Sequence, residues 1–382
     1  MKVSVVKCED YIQDNVDNAV KKAMCLADFE VKPNSTVLLK VNCLRDSEEN
    51  STITTNPAVI RSVCKILKEK KCRIWIGDSG GEGLAEKTQK GLDNLIVKTG
   101  IKKEFNVKLI NFDNEKKVLV KNPDGKQIKE ITTVEPIKKA DFIISLPKLK
   151  THAMTKYTGA VKNSFGCIPL KMKSAYHAVG ITEKKFSELL VDIFQVLKPN
   201  FFVMDGIIGM EGNGPSVGSP KKAGIILASK NGVCLDFTAS GIIGFKKDDI
   251  LMLNEAKKRG LYEDFEILGE KNLKIPFKQP DSIIRKALDL RKYVDPLLYK
   301  QAKPNVNFKK CIGCGTCARI CPMNAITMID KKPNIDDEKC IKCFCCQEVC
   351  PESAIKIKKS ARIPWLIELV KKAKKRYYVK KL

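Results

Sequence analysis

The chain has 382 residues, 43% of them hydrophobic and 30% charged, an apolar share sufficient for a substantial core. Its formal net charge of +26 comes mainly from lysines placed singly and in pairs, which points to anionic partners or substrates, or simply to a lysine-rich solvated surface. No nucleic-acid-binding module is recognisable and no aromatic pairs sit among the basic residues before the last few, so nucleic acid is not expected as a partner.

In chain order, short apolar β-rich runs predict strands at Val3–Lys7, Thr36–Val41, Cys72–Gly77, Lys108–Phe112, Asp141–Leu146, Phe201–Asp205 and Gly224–Ala228. Helical spacing predicts helices between them at Tyr11–Phe29, Pro57–Lys70, Leu84–Lys98 and Glu183–Leu197. This alternation implies an α/β domain with an open, mostly parallel sheet over residues 1–245. A hairpin is expected across Val118–Thr133, turning at Asn122-Pro-Asp-Gly125. Residues 246–305 read as a charged, helical connector, 306–358 as a small α+β cysteine-rich domain, and 359–382 as a basic tail.

Ligands of open α/β sheets collect at the carboxyl ends of the strands. There the sequence offers Lys40 and Asn42, Thr54-Thr55-Asn56-Pro57, Asp78 in a glycine-rich turn, Lys148 to Gly166, and Asp205-Gly206. From Gly81 the chain resembles a phosphate loop until Glu86, a carboxylate where a second glycine is required, so nucleotide triphosphate binding is rejected. The turn then either displays Asp78 or simply links strand to helix. The segment from Lys148 is the most site-like: Lys148, Lys150, Lys162 and Asn163, with Asp78 and Asp205, suit a carboxylate or phosphate group. His152 is one of two histidines, with His177; each is either chemical or a hydrogen-bonded core residue.

The cysteines carry the sharpest signal. Cys311, Cys314, Cys317 and Cys321 precede Pro322, and Cys340, Cys343, Cys346 and Cys350 precede Pro351, each in the spacing C-x2-C-x2-C-x3-C-P. This resembles a two-cluster bacterial ferredoxin, in which the fourth cysteine of each motif serves the other cluster. The resemblance implies two [4Fe–4S] clusters, one on Cys311, Cys314, Cys317 and Cys350, the other on Cys340, Cys343, Cys346 and Cys321. A zinc site would use two C-x2-C pairs and leave the third cysteine and the Cys-Pro step without a role. Cys345 departs from the pattern and is expected beside the cluster without ligating it. Seven other cysteines are scattered in apolar surroundings, and the chain opens on an alternating strand rather than a signal peptide. Both features lead us to expect a reducing, cytoplasmic setting.

A second resemblance covers residues 1–245. Asn42, Thr54 to Pro57, Gly77-Asp78-Ser79, Leu146 to His152, Gly159 to Asn163, and Met204-Asp-Gly206 through Pro215 resemble the family called domain of unknown function 362. The likeness implies a pocket at these polar positions and names no reaction. Paired clusters suit an iron–sulfur oxidoreductase exchanging electrons with an anionic small molecule. The alternative is an electron carrier or assembly component whose α/β domain docks a redox partner protein. A non-redox enzyme with structural clusters fits less well, because one cluster would suffice. In the tail, Pro364, Leu366, Leu369, Val370, Ala373 and Tyr377 fit a basic amphipathic helix. Such a helix either packs on the chain's own domains or contacts an anionic membrane peripherally.

Overall fold

The computed structural model describes residues 1–44, 51–81, 85–180, 182–280, 304–341, 343 and 345–357. The large domain is built on β1 (Lys2–Lys7), β2 (Thr36–Lys40), β3 (Arg73–Asp78), β4 (Lys108–Asn111), the hairpin β5 (Lys117–Lys121) and β6 (Glu130–Val134), and β7 (Phe142–Ser145). It continues with β8 (Lys148–His152), β9 (Lys156–Thr158), β10 (Phe201–Glu211), β11 (Ser219–Ser229) and β12 (Glu266–Gly269). The sheet order is β12-β1-β11-β10-β7-β2-β3-β4, with β8 joined to β10 and β9 to β8. Pairing is parallel from β10 through β7, β2 and β3 to β4, and antiparallel where β11 meets β10 and β1. The protein is thus α/β with a large, mostly parallel mixed sheet and a small C-terminal domain.

Alternation along the buried strands divides the core into two layers, since successive side chains point to opposite faces. Val37, Leu39 and Val41 face the helices Gln13–Leu26 and Pro57–Glu69, whereas Leu38 faces Glu183–Leu197, Gly232–Ile242 and Leu251–Lys258. Phe201 and Val203 divide from Phe202 and Met204 in the same way. Asn56 starts its helix as the sequence suggests: its side chain accepts from the Ala58 amide, and Pro57 holds the first turn.

Three local expectations are changed by tertiary context. Lys148–His152, singled out as part of a polar, site-like segment, is a fully buried strand, because β10 and β9 flank it on both sides. β10 and β11 each extend to eleven residues, forming one long antiparallel pair. The third helix is regular only over Ala85–Leu92 and widens into a π turn at Asp93–Val97, which gathers Leu92, Leu95 and Ile96 on the buried side. Residues 246–280 hold one helix, Leu251–Lys258, and β12, which pairs in parallel with β1; Met252, Leu253 and Phe277 join the main core.

The small domain contains β13 (Pro304–Val306), β14 (Ile326–Ile329), β15 (Lys332–Ile335) and β16 (Ile355–Ile357), paired β13 with β16 and β14 with β15. Two short helices, Thr316–Ile320 and Cys345–Glu348, lie between the pairs. Among the described residues no helix is long and apolar enough to cross a membrane. The amphipathic tail expected over residues 360–382 lies outside the described residues.

Candidate functional site

At the carboxyl end of β2, Lys40 reaches Asp78 at the end of β3, with Nζ 2.9 Å from Oδ1 and both side chains buried. Asp78 also accepts from the amides of Cys43 (2.6 Å) and Ser79 (2.7 Å). Burial raises its carboxyl above the ordinary range, against the pull of Lys40 and Lys173. Gly166 lies against this pair, and a Cβ there would strike both Lys40 Nζ and Asp78 Oδ1.

Asn163 ties the neighbouring strand ends together. Its amide donates to the Ser145 hydroxyl at 2.9 Å and the Lys40 carbonyl at 3.3 Å, while its oxygen accepts from Asn42 at 3.4 Å. The short helix bearing Lys162 and Asn163 is anchored by Asp236, which accepts from the Ala160 and Val161 amides and the Tyr157 hydroxyl. Burial pushes the Asp236 carboxyl up to about 7. Lys150 donates to Asn42 Oδ1 (2.6 Å) and the Ile53 carbonyl (2.8 Å). Burial, reinforced by Lys148 and Lys162, holds its ammonium well below the usual lysine range.

These groups surround a cavity with about 100 Å³ of water-accessible space. Lys40, Asn42, Asp78, Lys150, Lys162 and Asn163 line one side; the helix Leu170–Val179 supplies Lys173 and His177. Lys173 donates to the Ser79 and Gly80 carbonyls and the Ser79 hydroxyl, and burial brings its ammonium down to about 8. His177 is stacked on Phe186 with 4.6 Å between ring centroids, and burial lowers its imidazole to about 3, so it stays neutral at ordinary pH. The opposite wall comes from the cysteine-rich domain: Ile320, Cys345 and Val349. Leu170 packs with the same three residues, joining the two domains beside the cavity.

Of the residues singled out from sequence, Asp78, Lys150, Lys162 and Asn163 therefore meet at one cavity. Lys148, Asp205 and His152 do not line it. Lys148 Nζ sits 2.7 Å from Asp205 Oδ2, and Tyr11 bridges the pair, accepting from Lys148 (2.6 Å) and donating to Asp205 (2.9 Å). His152 is buried in β8, its Nδ1 accepting from the Met154 and Thr155 amides, the hydrogen-bonded core role. Sequence reasoning missed Lys173 and Cys345 as lining residues. Lys173 carried no signal beyond its place four residues before His177.

Four of the eight motif cysteines, those the ferredoxin likeness implies for one cluster, share one void: Cys311, Cys314, Cys317 and Cys350 line it together. Burial pushes the Cys317 thiol up to about 11, and neighbouring Cys314, Cys311 and Cys350 push the same way. Burial raises the Cys346 thiol well above its ordinary range, and Cys343, Cys340, Cys317 and Cys321 push the same way, so it neighbours cysteines of both implied sets. Thiols crowded against one another resist ionising alone, so such a crowd suits a cationic iron cluster that would stabilise the thiolates. The two fourth cysteines match in detail: Cys321 accepts from the Ala325 amide and Cys350 from the Ala354 amide, both at 3.2 Å. Such N–H···S bonds tune cluster potentials.

A family model described as domain of unknown function (DUF362) matches residues 37–241. The chain belongs to this family. A second model, a 4Fe-4S dicluster domain, matches residues 303–351, so this DUF362 protein carries a ferredoxin-type, 4Fe–4S-binding domain after its α/β domain. The chain is 30% identical over 232 residues to the thylakoid-associated protein sll1697 of Synechocystis sp. (strain ATCC 27184 / PCC 6803 / Kazusa), covering 60% of this chain and 70% of that one. The lactate racemase apoprotein from Thermoanaerobacterium thermosaccharolyticum gives a TM-score of 0.38 at 11% identity over 62% of this chain and 57% of that one. The DUF362 chain thus spans just over half of that structure, a likeness too slight to carry any argument.

Proposed function

We propose that this DUF362 protein is an iron–sulfur oxidoreductase that binds two [4Fe–4S] clusters and acts on a small anionic molecule held in the cavity between its domains. One observation carries the reading: lysines of the α/β domain and Ile320, Cys345 and Val349 of the cysteine-rich domain line a single cavity. The clusters, held by Cys311, Cys314, Cys317 and Cys350 and by Cys340, Cys343, Cys346 and Cys321, would supply one-electron transfer.

The chain's own residues would bind and orient the substrate. Lys162 and Lys173 offer ammonium groups to a carboxylate or phosphate, and Asn42 and Asn163 fix its orientation through their amides. Lys150, depressed by burial and neighbouring cations, would take up a proton as the anion enters and hold it at Nζ within reach of the substrate. His177 would provide a neutral hydrogen-bonding edge, and Ile320, Cys345 and Val349 would exclude water on the cluster side. Buried reduced cysteines such as Cys64 and Cys234 suit a cytoplasmic setting. Peripheral membrane contact through residues 360–382 is a separate proposal, to be tested by liposome flotation with and without that segment.

The test is anaerobic. Reconstituted, reduced protein is challenged with fractionated small-molecule extract and with simple carboxylates and phosphates, following cluster absorbance. At least one anion should reoxidise the protein in a manner abolished by Lys162→Met at unchanged iron content. If cavity substitutions never alter cluster oxidation, the carrier reading, with the α/β domain as a docking module, replaces this one.

A further inference from the structure

We propose that the open face around the first cysteine set docks an acidic redox protein. The inference rests on the two-domain reading above only in that the cavity and Leu170 cover Ile320, Cys345 and Val349, whereas Cys314 of the first set is exposed. Ile312, inside the first cysteine loop, is 64% exposed; Phe308, just before it, is 54% exposed; Cys314 is exposed as well. Large apolar side chains at a rim of charge mark a contact surface.

The rim is basic. Lys309, Lys310, Lys331 and Lys332 are all exposed. Lys332 Nζ stands 5.9 Å from the Phe308 ring centroid. Gly313 holds this surface together: it sits at φ +68°, and a Cβ would strike the Lys331 carbonyl, so the cysteine loop and the β14–β15 turn are in contact. Lys87 of the α/β domain and Arg319 add cations beside Cys314, against Glu352 at the same void and the exposed Asp330 next to Lys331 in sequence. A small apolar centre with a cationic surround fits the brief, electrostatically guided encounters of electron-transfer proteins, whose interfaces are small. The matching partner presents carboxylates around its own exposed redox centre.

The experiment titrates the cluster-loaded, full-length protein with oxidised flavodoxin, an acidic redox protein, by isothermal calorimetry. The acidic non-redox protein α-lactalbumin serves as control. Binding should weaken by about tenfold or more as salt rises from about 0.01 to 0.15 M, over which the Debye length falls from about 30 to 8 Å. Lys309→Glu and Lys332→Glu leave the cysteine loop unaltered, and together should weaken binding at least about tenfold with iron content retained. Ile312→Glu should do the same. Absent binding, indifference to salt or to these variants, equal binding of α-lactalbumin, or a dimer of this chain formed through the same face would overturn the proposal. Lys162→Met should bind flavodoxin normally. Loss of cavity chemistry with flavodoxin binding intact would therefore fault the substrate reading and leave the docking face standing.

Discussion

Lys40 and Asp78 form a buried ion pair at 2.9 Å, and Gly166 leaves the space in which they meet. The pair fixes the ends of β2 and β3 and one wall of the cavity. Asp78→Asn strands an ammonium in a dry site and should destabilise the protein by about 3–5 kcal/mol. Gly166→Ala forces a methyl group against both partners and should cost about 1–3 kcal/mol. Denaturant unfolding of the cluster-loaded protein measures both; a wild-type midpoint for either variant would contradict the pairing.

The two lysines read from sequence as equivalent are expected to separate. Lys148→Met leaves Asp205 buried without its cation and should unfold the protein by a similar margin, about 3–5 kcal/mol. Lys162 is partly exposed at the cavity, so Lys162→Met should change stability by about 0.5 kcal/mol or less while abolishing anion binding. Thermal unfolding and ligand titration on the two variants check this.

Anion binding should depend on pH through Lys173. Its ammonium in the folded protein titrates at about 8, below the ordinary 10.5, because burial disfavours the charge. The unfolded chain therefore holds this proton more tightly, and the lysine's contribution to stability is present above the unfolded value and lost as pH falls through about 8. A bound anion reverses the preference. Affinity should be highest below pH 8 and fall by up to about tenfold per pH unit above it, with proton uptake on binding. Calorimetry in buffers of different ionisation enthalpy reads the uptake, which Lys173→Met should reduce.

Much of this was legible in the chain. The T-V-L-L-K run of β2 ends its continuous apolar stretch on Lys40, placing a charge at a strand end where ligands gather. The cysteine spacing named the cluster domain because three thiolates on one loop plus a distant fourth suit few other centres. Lys148–His152 was legible as a polar, site-like run but not as a buried strand; only Asp205, Asn42 and flanking strands, distant in sequence, allow it to be buried. Lys162, Lys173 and Cys345 line one cavity from two domains, and no local period encodes that.

Cys345 separates packing from ligation. It is buried with Leu170, Ile320 and Val349 at the cavity wall, whereas Cys346 is buried among Cys343, Cys340, Cys317 and Cys321. Cys345→Ser should keep the full iron content, and Cys346→Ser should lose or convert one cluster, both read by iron analysis and absorbance.

The most direct test of the account is iron stoichiometry with electron paramagnetic resonance on anaerobically reduced, full-length protein. Two [4Fe–4S] clusters predict close to eight irons per chain and a spectrum broadened by magnetic coupling between neighbouring centres. Zinc in place of iron, or four irons with the spectrum of a single isolated cluster, would contradict it.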